Sequence, residues 1–141
     1  MPEVDPDDDD VIEAVAGTAD AKLRAVLLSN RAQCWIKIAS LAPDGRESSV
    51  ARRAFMQANV DAAFAAELAP DFAKAHYRKA LSLLGMPGTN ARGKEAVMAL
   101  KQSLRCSDCT PALAKEVQGV LDYAQTRRFE NVEMPENCCV Q

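Results

Sequence analysis

Proline and glycine cut this 141-residue chain into blocks of helical length. Pro43-Asp44-Gly45 is a strong turn signal, Pro70 closes a second block, Gly85-Met86-Pro87-Gly88 breaks a third, and Thr110-Pro111 opens the last. No block shows the sustained apolar–polar alternation of a strand, so the fold class is all-α. The first helix is predicted over Asp20–Leu41, where Leu23, Val26, Leu27, Cys34, Ile38 and Leu41 recur at roughly helical spacing. Ser48 and Ser49 are candidate caps for a second helix running through Ala51 to Ala69. Asp71 is expected to cap a third, Phe72 to Leu84, and a fourth covers about Ala91 to Leu104. Pro111 suits the first position of a fifth helix, where its missing N–H costs no hydrogen bond, and Leu113, Val117, Val120, Leu121 and Ala124 form its apolar face.

Composition agrees with helices that pack closely. Apolar residues make up 48% of the chain but aromatics only 5%, and alanine is abundant. The net charge of -3 conceals an asymmetry, because Met1–Asp10 holds six acids and no base. The remaining 131 residues carry 14 acids and 17 bases, a net of +3, too weakly basic to argue for nucleic acid. Residues 1–19 are therefore expected to be an acidic tail or a stub, residues 20–130 one helical domain, and residues 131–141 a polar tail. No apolar run is long enough to span a bilayer, and the acidic start does not suit a signal peptide. Five cysteines, an odd number, read as reduced thiols in a cytoplasmic protein.

The helices repeat in pairs. Leu28-x-x-Arg31-Ala32-x-x-Trp35 overlays His76-x-x-Lys79-Ala80-x-x-Leu83, placing a small residue between large ones at the same spacing. In the second helix of each pair, Ala58, Ala62 and Ala65 align with Ala96, Leu100 and Ser103. Small residues at Ala32 and Ala58, or at Ala80 and Ala96, would let paired helices approach closely. Such pairs bury their faces only by stacking on neighbours.

Two strings resemble the tetratricopeptide repeat family: Ser29-Asn30-Arg31-Ala32, and Leu68-Ala69-Pro70-Asp71-Phe72-Ala73-Lys74-Ala75-His76-Tyr77-Arg78-Lys79-Ala80. The resemblance covers about Ala21 to Leu104, with Thr110 to Phe129 similar to the solvating helix that follows a last repeat. It implies a superhelix of antiparallel helix pairs and a protein-binding groove. In the co-chaperone branch, that groove carries a carboxylate clamp for the C-terminal Glu-Glu-Val-Asp tail of heat-shock chaperones. By resemblance, Asn30, Lys74 and Arg78 are clamp members. Lys74 and Arg78 lie one turn apart on one helix face, and a lysine and an arginine together suit a carboxylate. Asn30 adds neutral donors, and Gln33 and Lys37 follow it as further candidate groove residues. The alternative for Lys74 and Arg78 is an ordinary solvated face. The spacing departs from the family: Ala32 to Ala58 is 26 residues and Ala80 to Ala96 is 16, against about twelve there. The first gap is expected to lengthen both helices of its pair. A full first repeat does not fit before Ala25, so the lysine and asparagine that the family draws from it have no counterpart. Binding is thus expected to be weak and salt-sensitive.

Other signals carry less. Gly88–Lys94 has phosphate-loop spacing, but Glu95 stands where Ser or Thr is needed and no strand precedes it, so it reads as an inter-helix turn. Cys106-x-x-Cys109 reads as two thiols at a helix end, not half a zinc site, and no metal or cofactor is expected. With one histidine there is no evident base for a nucleophile, so the chain is not expected to be an enzyme. Cys138-Cys139-Val140-Gln141 fits a C-a-a-X box, which leaves prenylation of Cys138, and with it a membrane association, open beside a plain tail. An acidic Asp7–Asp10 tail could occupy a cationic groove, or could merely solubilise the chain. The expectation is a protein-binding adaptor of co-chaperone type. Its alternatives are a scaffold for another protein segment and the detached repeat domain of a larger peptidyl-prolyl isomerase.

Overall fold

The computed structural model describes residues 18–86 and 90–126, and among them finds five helices and no strand. These are α1 (Ala19–Ser40), α2 (Ser49–Leu68), α3 (Ala73–Gly85), α4 (Asn90–Arg105) and α5 (Pro111–Thr126). The all-α reading holds, with the boundaries of α1 to α4 and the start of α5 within two residues of those expected. The acidic tail, the stub at residues 11–17 and the box containing Cys138 lie outside the described residues.

Local chemistry sets the helix ends. Thr18 Oγ1 accepts from the Ala21 N–H at 3.1 Å and starts α1. Ser48, and not Ser49, caps α2 by accepting from the Ala51 N–H at 3.2 Å. Between them Gly45 adopts φ +83°, a left-handed conformation that glycine reaches without steric cost. Thr110 Oγ1 accepts from the Leu113 N–H at 3.2 Å and starts α5.

The expected cap of α3 is corrected. Asp71 gives α3 no capping bond; its carboxylate accepts from the N–H and hydroxyl of Ser107 instead, which hold the Asp71 carboxyl below the usual carboxylate range. The α3 N-terminus is capped from 35 residues away, where Asp108 Oδ1 accepts from the Ala73 N–H at 2.9 Å. Buried Ser103 adds a bond to the Ala73 carbonyl at 2.8 Å. The start of α3 is therefore pinned to α4 and to the turn before α5. The segment read as a turn at Gly88–Lys94 is also revised, because Asn90 onward is already α4.

Packing follows chain order: α1 on α2, α2 on α3, α3 on α4 and α4 on α5, while α1 also touches α3. The close-approach alanines Ala32, Ala58, Ala80 and Ala96 are all fully buried, as are Ala62, Ala65, Leu100 and Ser103. Helices meeting through such short side chains can reach the lower end of the usual 8–10 Å separation. Phe55, Ile36, Leu81, Leu100 and Val117 supply the larger fully buried side chains. The first pair is the longer one, at 22 and 20 residues against 13 and 16 for the second, so the longer gap does lengthen both helices.

Most of the residues whose spacing revealed α1 do not bury it: Leu23, Leu27, Ile38 and Leu41 are 47–81% exposed and Cys34 is exposed too, while Val26 packs against the core. The face of α1 that enters the core consists of Ala21, Ala25, Ser29, Ala32, Ile36 and Ala39. Among these residues only Ile36 is large.

Candidate functional site on the α1–α3 face

The contact between α1 and α3 brings Asn30 and Arg78 together. Arg78, half-buried on α3, donates through Nη1 to Ser29 Oγ at 2.7 Å and to Asn30 Oδ1 at 3.2 Å. Sequence separations of 49 and 48 make this a tertiary feature. Ser29 is fully buried, so its hydroxyl is a fixed acceptor at the floor of the cluster. Accepting from Arg78 orients the Asn30 amide, leaving its NH2 as a donor pointed away from the guanidinium.

Arg78 is a cation in unusual surroundings. Burial lowers its guanidinium from the ordinary value, an effect the nearby Cys34 partly offsets. No carboxylate among the described residues pairs with it, and both of its acceptors there are neutral oxygens. The ordinary value lies so far above neutrality that the charge persists at physiological pH.

The other predicted residues surround this centre more loosely. Lys74 is exposed in the first turn of α3, one helical turn before Arg78. Gln33 is partly buried on α1, and Lys37 is exposed in its last turn. Sequence reasoning missed Ser29, although it sits inside the Ser29-Asn30-Arg31 string. It also missed the role of Arg31, whose guanidinium grips Asp61 of α2 with two bonds of 2.7 Å. Asp61 is only 3% exposed, so this fork supplies the counter-charge that a buried carboxylate needs.

Residues considered for other chemistry behave as structural groups. His76 Nε2 donates to the Pro70 carbonyl at 2.8 Å. Cys106 is buried, contacts the Gln102 and Pro70 carbonyls, and has its thiol pushed up to about 11, chiefly by burial and then by Asp108 and Asp71. Such a thiol is a poor nucleophile. No group of three or more metal-ligating side chains occurs among the described residues, and no described helix is long and apolar enough to cross a membrane. No protein-family model, curated protein or solved structure matches the chain.

Proposed function

We propose that the α1–α3 face is the carboxylate-binding groove of a small protein-binding adaptor built from tetratricopeptide-like helix pairs. The observation that carries the reading is the half-buried Arg78, whose partners among the described residues are all neutral, one turn from the exposed cation Lys74 and bonded to Asn30. A cation so placed gains by meeting an anion, and desolvated charge-assisted bonds are stronger than exposed ones. A peptide ending in a free carboxylate with acidic side chains before it fits both cations, while the Asn30 amide can donate to a peptide oxygen. The pairwise packing of α1 with α2 and α3 with α4, together with α1 on α3, supports the repeat arrangement. By resemblance, the partner is the acidic C-terminus of a heat-shock chaperone.

The test is fluorescence anisotropy with a labelled peptide ending in Glu-Glu-Val-Asp. Salt-sensitive binding is expected, with loss on C-terminal amidation and in a Lys74→Ala, Arg78→Ala double variant. Three charge-assisted contacts point to a dissociation constant of roughly ten micromolar or weaker. Absence of binding at several hundred micromolar protein, or equal binding of the amidated peptide, would refute the proposal.

A further inference from the structure

The longest row of exposed apolar side chains among the described residues lies on α1, beside the groove. Leu23, Leu27, Cys34, Ile38 and Leu41 fall within an arc of roughly 60° at about 100° per residue. Leu23 is 60% exposed, Leu27 61%, Ile38 47% and Leu41 81%, with Cys34 exposed between them. The row extends about 27 Å at 1.5 Å per residue. Its four aliphatic residues present about 450 Å² of largely apolar surface, comparable with the largest patch on a typical monomer, which is often functional.

The row reads nearly alike in both directions. Reflected about Ala32, Leu23 falls on Leu41, and Leu27 falls beside Ile38. Such near-reversal is what a two-fold contact between antiparallel copies of one helix requires, since each patch must complement itself. The flanking cations fit the same register, because Arg24 then faces Ser40, Lys37 faces Leu27 and Arg31 faces Gln33. The like charges are staggered, not opposed.

We propose that this face of α1 is the interface of a homodimer, with Leu23 packed against Leu41 of the partner subunit and Leu27 beside Ile38 of the partner subunit. The four aliphatics of both copies, with Cys34 and the stems of the flanking cations, would bury about 1,000–1,200 Å². That is the lower edge of specific interfaces, so the dimer is weak and forms at micromolar concentration. This reading rests on the exposed row alone, and because Asn30 and Lys37 border that row, the dimer and a peptide in the groove would compete. The two Cys34 thiols lie about two residues either side of the dyad, within about 10 Å of each other.

The test is sedimentation of the full-length chain from about 1 to about 200 µM, combined with a short bismaleimide cross-linker and mapping of linked peptides by mass spectrometry. A mass that doubles with concentration and a Cys34–Cys34 linked peptide are expected. Leu27→Glu should raise the dissociation constant at least about tenfold while leaving the circular dichroism unchanged, because the residue is exposed. A chain monomeric across the range, without a Cys34–Cys34 product, would overturn the proposal. So would a dimer that is indifferent to Leu27→Glu. A full-length monomer that dimerises only when residues 1–17 are removed would also overturn it, assigning the face to that acidic segment.

Discussion

Gly85 is the position where the packing of the two helix pairs can be tested most sharply. It is the last residue of α3, and a Cβ placed there would lie 2.5 and 2.6 Å from Cζ and Cδ1 of Phe55 and closer still to Cε1. Phe55 is 1% exposed in α2, so its ring has no open space to move into. Two effects oppose each other in Gly85→Ala. Alanine is favoured over glycine by up to about 1 kcal/mol inside a helix, and by less at its final residue. Overpacking a filled core costs about 1–3 kcal/mol. Packing wins, and we expect a net destabilisation of about 1–2 kcal/mol, or a Tm lower by about 5–10 °C for a domain of this size. Urea unfolding followed at 222 nm measures it. Phe55→Leu should relieve the clash, so the alanine should cost at least about 1 kcal/mol less in that background. A Gly85→Ala protein as stable as the parent would show that α2 and α3 do not approach through this glycine.

Three further perturbations probe other parts of the structure. Asp108→Ala should cost about 1 kcal/mol in urea unfolding, the usual loss for an N-cap, and the signature is loss of protection at the Ala73 amide in hydrogen exchange. Arg31→Met leaves the Asp61 carboxylate buried without its counter-charge and should cost about 2–3 kcal/mol. Adding Asp61→Leu should recover most of that; failure to recover would mean that the pair has net value beyond mutual neutralisation. Cys106 should react with maleimide far more slowly than exposed Cys34 at pH 8. Its raised folded pKa means that its contribution to stability is fully present below the unfolded thiol value near pH 8.5. That contribution is lost as pH rises toward about 11, so stability should fall with alkali in the parent and less so in Cys106→Ala.

The sequence is readable here to the extent that its signals are local. Helix positions follow from proline, glycine and capping residues, and the boundaries of the first four helices came out within two residues. The buried alanines were legible too, because the large–small–large spacing repeats between the pairs. Two things were not. Asp71 looked like a cap because it precedes a helix, but its carboxylate is taken by Ser107, and the cap comes from Asp108, which no local rule links to Ala73. On α1, apolar periodicity marked the helix but not its buried side. Alanine contributes little hydrophobic signal, yet close helix approach is satisfied by alanines, so the leucines were left outside. Likewise Gly85 reads as a breaker, whereas it remains helical and makes room for Phe55. At the candidate site, the two strings that resemble tetratricopeptide repeats marked Asn30, Lys74 and Arg78. The fold added Ser29, whose part depends on a contact between residues 49 positions apart.

The central claim is that Arg78 and Asn30 together meet a carboxylate, and side-chain NMR tests it most directly. The Arg78 Nε–Hε and Asn30 NH2 resonances can be followed during titration with a peptide ending in a free acidic C-terminus and with its amidated counterpart. Both resonances should shift with the free acid, lose the effect as salt is raised, and stay nearly still with the amide. If the peptide binds while these two signals remain unmoved, the α1–α3 face is not the site and the account of the groove is wrong.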